Sequence, residues 1–191
     1  AFLVPGLTIN CYDERGDEEV TESFRFDGGV VDFANWLAND GAVTDTWHIT
    51  GSGTYSETVQ VLDPESGHLR ATEVERTCDV DVALRWGIGY DTNLRSFVNI
   101  IATPKGGTHV AGFEQAVLKT LRAAIDKNAR KLKVGAKDGR PEKDDVQAGM
   151  TAVVTVRFPE PQFEGQTKET LGTPQIRTVV NRVVTDWLKA K

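Results

Sequence analysis

The stretch Met150-Thr151-Ala152-Val153-Val154-Thr155-Val156-Arg157-Phe158 decides the fold of this chain. Its consecutive valines lack the strict alternation of apolar and polar residues that a half-exposed strand shows. A run of this kind is typical of a strand that is covered on both faces. We therefore predict a strand over residues 150–158, placed centrally in a sheet.

Upstream, residues 47–103 keep a strand-like pattern that supplies neighbours for the central strand. Connectors at residues 51–53, 63–67 and 91–93 divide this region. The connector 63–67 predicts a turn, because its proline presets φ and its glycine supplies a permissive position. Connections this short favour antiparallel pairing. The predicted strands cover residues 48–49, 57–62, 68–78, 80–90 and 94–103.

The N-terminal region predicts a hairpin followed by a helix. Residues 8–12 and 23–26 are predicted strands that flank an acidic turn around residues 15–17. Over residues 30–38, apolar side chains recur every three or four positions, which predicts a helix. The following Asn39-Asp40-Gly41 is a sequence that ends helices.

Two amphipathic patterns in the second half of the chain predict the main helices. The longer helix covers about residues 109–133, with Thr108 as its N-cap. The second apolar stripe runs through residues 176–188, and a polar loop is predicted over residues 137–145. One sheet with two helices on one face gives a two-layer α+β domain.

The sequence Gly106-Gly107-Thr108-His109, just before the longer helix, allows two interpretations. It resembles a phosphate cradle at a helix N-terminus. It is too short for a P-loop, however, and no Gly-Lys-Ser/Thr follows. We therefore interpret it as a tight strand-to-helix turn, in which His109 forms a structural hydrogen bond and has no catalytic role.

The composition bounds the class of protein. The chain has 191 residues, of which 39% are hydrophobic and 26% are charged, as in ordinary globular proteins. No apolar stretch reaches the roughly 18–20 residues that a membrane-spanning helix needs. Cys11 and Cys78 lie far apart, which favours two free thiols over a disulfide framework. These cysteines and three scattered histidines form no zinc motif, so no metal site is predicted.

The net charge of −6 hides an uneven distribution. Residues 1–81 contain 17 acidic and four basic residues, a net charge of −13. Residues 119–143 contain nine basic and three acidic residues, a net charge of +6. This basic segment is either a site of contact with a polyanion or a solvated helix face.

The candidate functional residues lie in Glu160-Pro161-Gln162-Phe163-Glu164-Gly165-Gln166-Thr167-Lys168, between the central strand and the last helix. Gly165 permits a turn that other residues resist. Gln166 offers amide donors, and Lys168 offers a compact charge on a long stem. Such a loop can reach a phosphate held by another domain, although a lysine in a polar loop is most often only solvated.

The segment 158–168 resembles the Gln-Thr-Lys loop in the B subunits of bacterial type II DNA topoisomerases, gyrase and topoisomerase IV. Further segments resemble the same family, in family order along nearly the whole chain. They are Ala1-Phe2-Leu3, Gly6-Leu7-Thr8-Ile9, Asp13-Glu14-Arg15, Phe26-Asp27-Gly28-Gly29 with Phe33, Ser96-Phe97-Val98-Asn99, Gly106-Gly107-Thr108-His109, Gly112-Phe113, Asp144-Asp145-Val146 and Gly149-Met150-Thr151-Ala152-Val153.

The resemblance implies a transducer domain with a ribosomal protein S5 domain 2-like fold. It places that domain at residues 1–174, and residues 175–191 begin a C-terminal helix that leads to an absent toprim and DNA-gate region. The implied function is to couple ATP binding and hydrolysis in a neighbouring ATPase domain to gate closure and DNA strand passage. Gln166 and Lys168 would contact the γ-phosphate, with Lys168 as the catalytic residue. Gly165 and Thr167 would support the loop.

The motifs of the family's ATPase and toprim domains do not occur in this sequence. We therefore expect a piece of a longer protein, which alone neither hydrolyses ATP nor cuts DNA. The resemblance implies ATP with Mg²⁺ as cofactors of the full-length enzyme, with none bound by this piece alone. Its implied partners are the transported DNA duplex, the topoisomerase A subunit, its own ATPase and toprim domains, and a second copy of the full-length protein. The implied location is the cytoplasm, without membrane contact.

Two other functions stay open at this point. A stand-alone S5-like module could bind nucleic acid through the basic segment 119–143. The equivalent domain of a mismatch-repair or chaperone ATPase also carries a phosphate-contacting basic residue, but lacks the combination of Gly-Gly-Thr-His and Gln-Thr-Lys. The sequence does not separate gyrase from topoisomerase IV.

Overall fold

The computed structural model describes residues 1–16, 20–62, 64, 67–135 and 137–191. The helices in these ranges are α1 (Val30–Leu37), α2 (Thr108–Lys127), α3 (Ala129–Leu132), α4 (Lys143–Gln147) and α5 (Pro174–Ala190). The strands are β1 (Ile9–Asp13), β2 (Val20–Phe24), β3 (Trp47–Leu62), β4 (Leu69–Trp86), β5 (Asn93–Val98), β6 (Ile101–Ala102), β7 (Met150–Arg157), β8 (Phe163–Glu164) and β9 (Thr170–Leu171).

The largest sheet has five strands in the order β3-β4-β7-β5-β6. The predicted central strand is confirmed, because β7 is the middle strand and its residues 150–156 are all buried. The α+β class is also confirmed. Two further sheets, β1-β2 and β8-β9, are each a small antiparallel pair.

The predicted divisions within the sheet strands are partly wrong. Residues 48–49 and 57–62 belong to one strand, β3, although Gly51 and Gly53 lie between them. A Cβ at Gly51 would meet Val183 Cγ1 at 2.8 Å, and one at Gly53 would meet Val179 Cγ1 at 2.9 Å. These glycines therefore allow α5 to approach the strand closely and do not form a turn.

Two other strand boundaries also differ from the prediction. The predicted strands 68–78 and 80–90 form one strand, β4, because Asp79 does not interrupt the pairing. The predicted strand 94–103 is divided into β5 and β6. Asn99 and Ile100 separate them with φ values of 47° and 68°, which form a two-residue hairpin turn.

The chain divides into two compact units, and β3, β4, β5 and β7 have residues in both. The first unit comprises Ala1–His48, Val82–Leu94 and Ala148–Val153. Its N-terminal part holds stacked aromatic rings, with centroid distances of 3.7 Å between Phe2 and Phe26 and 4.7 Å between Phe2 and Phe33. The second unit comprises Ile49–Asp81, Arg95–Gln147 and Val154–Lys191.

In the second unit, α2 and α5 pack closely together. A Cβ at Gly112 would collide with the carbonyl oxygen of Arg177, so glycine is needed at this crossing. The predicted stripe of the last helix is confirmed by the burial of Ile176, Val180 and Val184. Burial of this apolar face is the main stabilising contribution of the helix pair.

The helix ends differ from the predictions. The N-cap of α2 is Gly107, and the predicted cap Thr108 instead donates its hydroxyl hydrogen bond to the Thr173 carbonyl. The helix ends at Lys127, and the predicted extension to residue 133 contains the separate short α3. The predicted polar loop 137–145 contains the start of α4.

Some predictions lie partly or wholly beyond the described residues. Asp17 in the predicted acidic turn is one such residue, as are Asp63, Glu65 and Ser66 in the predicted turn 63–67. The division of the chain at residues 174 and 175 stays a prediction. Within the described ranges, no helix is both long enough and apolar enough to cross a bilayer.

Candidate functional site

The four predicted site residues lie together at the tip of a β-hairpin. Strands β8 and β9 pair antiparallel, with Phe163 opposite Leu171 and Glu164 opposite Thr170. The turn between them, residues 165–169, contains Gly165 at φ 80° and Lys168 at φ 55°. We call residues 163–171 the tip hairpin. The sequence predicted a loop here, because two-residue strands are too short to show a period.

Lys168 presents its ammonium group to solvent. The side chain is exposed, and its Nζ lies 5.9 Å from the ring centroid of Phe163, within cation–π range. Among the residues that the structure describes, neither Lys168 nor the exposed Gln166 has a side-chain partner in an ion pair or hydrogen bond. The hairpin therefore carries one cation and one amide whose donors are available for a ligand.

Glu169 holds the base of the turn. Its Oε2 accepts hydrogen bonds from Lys105 Nζ at 2.6 Å and from the Thr167 hydroxyl at 3.2 Å. The Lys105 ammonium, and to a lesser extent the Thr167 hydroxyl, lower the pKa of Glu169 below its ordinary value. Lys105 is thus neutralised by Glu169, whereas Lys168 keeps an uncompensated charge.

The backbone of the turn before α2 supports the tip hairpin. The Lys105 N–H donates to the Glu169 carbonyl at 3.1 Å, and the Leu171 N–H donates to the Gly106 carbonyl at 3.0 Å. A Cβ at Gly107 would lie 2.8 Å from Leu171 Cα and still closer to its backbone N and O. The predicted strand-to-helix turn is therefore confirmed. Its backbone also packs against the tip hairpin and forms hydrogen bonds with it.

Thr173 forms hydrogen bonds on the other side of the hairpin base. This buried residue accepts the Gln162 N–H at its hydroxyl oxygen, 3.0 Å away, and the Thr108 hydroxyl at its carbonyl, 2.8 Å away. The Gly172 N–H also donates to the Gln162 carbonyl at 2.8 Å. Thr173 is the N-cap residue of α5, so the hairpin is bonded directly to the starts of both main helices.

A buried polar chain lies under the start of α2. Ser96 Oγ and Thr103 Oγ1 are 2.8 Å apart, and Thr103 Oγ1 lies 3.2 Å from His109 Nε2. Burial lowers the pKa of His109 to about 4, because the charged imidazolium is poorly solvated there. His109 is therefore neutral near pH 7 and has the structural hydrogen-bonding role predicted from the sequence.

The sequence reasoning missed Lys105, Glu169 and Thr173 as supports of the site. Lys105 and Glu169 are 64 positions apart, and Thr108 and Thr173 are 65 apart. The pairing of Gly107 with Leu171 brings these segments together. The polar residues flanking Gly106-Gly107 and Gln166-Thr167-Lys168 were the available signal, but single polar residues in loops are common.

The basic segment 119–143 is partly neutralised. Arg122 donates to the Pro141 carbonyl at 2.7 Å, while Arg140 pairs with Asp126 and Lys143 pairs with Glu114. The other basic residues of the segment are Lys119, Lys127, Arg130, Lys131, Lys133 and Lys137. All six are exposed.

Comparison with known proteins places these features in one family. The family model described as DNA gyrase B matches residues 29–191. The gyrase B protein of Streptomyces coelicolor (strain ATCC BAA-471 / A3(2) / M145) is 36% identical over 209 residues, covering 98% of this chain and 27% of the relative. The gyrase B protein of Campylobacter jejuni subsp. jejuni serotype O:2 is 36% identical over 188 residues, covering 98% of this chain and 21% of the relative. The chain thus spans only about a quarter of the length of these curated relatives.

Solved structures give the same result. The 43K ATPase domain of Thermus thermophilus gyrase B, in complex with an aminocoumarin, matches with a TM-score of 0.69 and 29% identity. The match covers 98% of this chain and 44% of that one. The ATP-binding domain of Francisella tularensis topoisomerase IV shares the fold, with a TM-score of 0.60 at 24% identity, covering 100% of this chain and 45% of that one.

Proposed function

Because this chain belongs to the DNA gyrase B family, we propose that it is the transducer domain of an ATP-dependent type II DNA topoisomerase, with a ribosomal protein S5 domain 2-like fold. In the full-length enzyme, an isomerase, it would couple ATP binding and hydrolysis in the adjacent ATPase domain to gate closure and strand passage. The partners would be the transported duplex, the topoisomerase A subunit and a second copy of the full-length protein, in the cytoplasm.

The observation that carries this proposal is the uncompensated ammonium group of Lys168 at an exposed hairpin tip. The neighbouring Lys105 is neutralised by Glu169 at 2.6 Å, so the two cations differ in availability. A cation that meets a γ-phosphate forms a charge-assisted hydrogen bond, which is roughly twice as strong as a neutral one. The exposed amide of Gln166 is only two residues away and would share the contact.

The residues of the tip hairpin fit the phosphate end of ATP but not its metal. Lys168 and Gln166 provide donors, as phosphate oxygens require. The described residues contain no group of three or more His, Cys, Asp or Glu that could hold a metal ion. When bound in the full-length protein, ATP with Mg²⁺ would supply the phosphoryl-transfer chemistry. The contribution of this chain is to place Lys168 and Gln166 against the γ-phosphate.

The connections of the hairpin base support a coupling role. Thr173 links Gln162 to the first residue of α2 and is itself the N-cap of α5. A movement of the tip hairpin therefore acts on the starts of both main helices through short hydrogen bonds. Loss of the γ-phosphate would remove the partner of Lys168 and favour another hairpin position, since a ligand shifts an equilibrium only through its different affinity for two states.

The test uses the full-length enzyme with Lys168→Ala. We expect ATP turnover to fall at least about tenfold, or about 1.4 kcal/mol in activation free energy. The matched control is Lys131→Ala, another exposed lysine, and it should leave turnover unchanged. The urea midpoint of the 191-residue chain should be unaffected by Lys168→Ala, because the side chain is exposed. Unchanged ATP turnover in Lys168→Ala would remove this residue from the mechanism.

A second candidate function is a stand-alone S5-like nucleic-acid-binding module that uses the basic segment 119–143. The exposed lysines of this segment that lie outside its ion pairs favour it. It predicts that the 191-residue chain alone binds a short DNA duplex with a steep salt dependence, and that Lys131→Glu with Lys133→Glu weakens binding. Arg70→Glu, exposed on β4, is the matched control. Absence of binding at low salt would refute this function.

A further inference from the structure

The buried polar chain under the start of α2 contains more contacts than its hydroxyl groups can satisfy alone. Ser96, Thr103 and His109 are all buried. Ser96 Oγ lies 2.8 Å from the Thr103 carbonyl oxygen and 2.8 Å from Thr103 Oγ1. Thr103 Oγ1 lies 3.2 Å from His109 Nε2. Three hydrogen bonds therefore link these residues, and each bond needs one hydrogen.

The number of available hydrogens determines the direction of every bond. Each hydroxyl group has one hydrogen, so Ser96 and Thr103 together supply two. Ser96 donates to the Thr103 carbonyl, which has no hydrogen, and Thr103 Oγ1 then donates to Ser96 Oγ. The third hydrogen has to come from His109, whose Nε2–H donates to Thr103 Oγ1.

This count assigns the tautomer of His109. Burial keeps the imidazole neutral near pH 7 by lowering its pKa, so the ring carries a single N–H. That hydrogen is on Nε2, and Nδ1 carries only a lone pair. Among the described residues, His109 Nδ1 has no hydrogen-bond partner. This agrees with the assignment, because a buried acceptor without a partner is tolerated better than a buried N–H without one.

Thr103 connects the buried polar chain to the tip hairpin. Its carbonyl oxygen also accepts the Gly106 N–H at 2.8 Å, which closes the turn before α2. The Gly106 carbonyl in turn accepts the Leu171 N–H at 3.0 Å. The neighbouring Lys105 N–H donates to the Glu169 carbonyl at 3.1 Å. Loss of the Thr103 hydroxyl would therefore loosen this turn and the backbone bonds that hold the hairpin.

We propose that Thr103 and His109 are positioning residues for Lys168, and that they act through the turn before α2 and the tip hairpin. This inference rests on the proposed role of Lys168 in ATP turnover. Both residues are buried, so neither contacts the nucleotide. The Nε2–H of His109 and the Ser96 hydroxyl hold the side chain and the carbonyl of Thr103 in one arrangement, and the hairpin that carries Lys168 is bonded to that turn.

The tautomer is measured by long-range proton–nitrogen correlation NMR of the imidazole in the 191-residue chain at pH 7. We expect the hydrogen on Nε2 of His109 and the signal of an unprotonated ring nitrogen for Nδ1. The chain contains three histidines, and His109→Gln identifies the signals of this one by their loss. A hydrogen on Nδ1 would overturn the proposal, because His109 could not then donate to Thr103.

Thr103→Val keeps the shape of the side chain and removes its hydroxyl. Amide hydrogen exchange in the 191-residue chain should become about fivefold faster at Lys105 and Leu171, the factor that one hydrogen bond of ordinary strength represents. Thr103→Ser keeps the hydroxyl and should leave the exchange close to that of the unaltered chain. The matched control is Thr155→Val, which removes a buried hydroxyl bonded to a β4 carbonyl and should change neither amide. Unchanged exchange at Leu171 in Thr103→Val would overturn the proposal.

The full-length enzyme separates positioning from a general loss of stability. Thr103→Val should lower kcat for ATP about fivefold and change KM less, since only the placement of a group that acts in the transition state is lost. Thr103→Ser should retain kcat, and Thr155→Val should leave it unchanged.

A double-mutant cycle shows whether the effect on kcat passes through Lys168. In a Lys168→Ala background, Thr103→Val should cause no further loss of kcat. An equal loss in both backgrounds would overturn the proposal. If Lys168→Ala alone leaves turnover unchanged, the proposed function fails, whereas the exchange at Leu171 still decides whether Thr103 and His109 position the hairpin.

Discussion

Replacing Gly107 by alanine tests whether the turn before α2 stabilises the tip hairpin through its close backbone contact. Gly107 has φ 130° and ψ −159°, a region that side chains other than glycine avoid. The new Cβ would also lie 2.8 Å from Leu171 Cα in β9 and still closer to that residue's backbone N and O. These neighbours are backbone atoms of a paired strand, so they cannot rotate away.

The expected loss of stability has two parts. The backbone conformation costs about 1–3 kcal/mol for a residue with a side chain, and overpacking adds about 1–3 kcal/mol. We therefore expect Gly107→Ala to lower the free energy of unfolding by about 4 kcal/mol, the sum of the two central values. The control is Gly165→Ala in the same hairpin, where φ is 80° and the added Cβ meets no atom within 4 Å. Only a conformational cost of about 1–2 kcal/mol remains there.

Urea unfolding of both variants, followed by circular dichroism, measures this difference. The linear dependence of unfolding free energy on urea concentration gives the two losses directly. Amide hydrogen exchange should also show faster exchange at Leu171 in Gly107→Ala but not in Gly165→Ala. If both variants lose the same stability, the close approach of Gly107 to Leu171 does not support the hairpin, and the reasoning is wrong.

Three further predictions concern the supports of the same hairpin and the buried polar chain under the start of α2. In the folded chain the pKa of His109 is about 4, against an ordinary 6.5, so its stabilising contribution is complete above pH 6.5 and is lost as the pH falls from 6.5 to 4, by up to about 3 kcal/mol. His109→Gln should remove that part of the pH dependence of the unfolding free energy. An unaltered pH dependence in this variant would contradict the prediction. Lys105→Met should raise the pKa of Glu169 towards its ordinary 4.5 in a carboxyl NMR titration, while Lys131→Met leaves it unchanged. Thr173→Val should lower the unfolding free energy by about 1 kcal/mol, since the Gln162 N–H loses its acceptor; no loss would show that the bond contributes nothing.

Two predictions that rested on long apolar patterns agree with the structure in element type and burial. The valine-rich run of β7 indicated a strand covered on both faces, and the apolar stripe of α5 indicated one buried helix face. Burial is continuous over residues 150–156 of β7, whereas the buried residues of α5 recur every three or four positions, as the turns of a helix do. Local sequence is then sufficient, because many residues of one element carry the same information.

Predictions that rested on single residues were less successful. Gly51 and Gly53 were interpreted as a break between strands, but they lie inside β3 where α5 approaches. Thr108 has the chemistry of an N-cap, yet its hydroxyl bonds to the Thr173 carbonyl. The residue type at Gly51, Gly53 and Thr108 is compatible with two structural roles. Contact with a distant segment of the chain determines which role is observed.

In the candidate site too, local sequence and tertiary structure determine different features. The amino-acid sequence alone determined that an amide and a lysine follow a glycine in a polar connector, and the family resemblance indicated a phosphate as their target. Tertiary structure alone decided that this connector is a hairpin, that Lys105 is neutralised by Glu169, and that Lys168 is left uncompensated. The physical reason is that side-chain type is a local property, whereas the availability of a charge depends on which partners folding brings within a few ångströms, here from segments 64 positions apart.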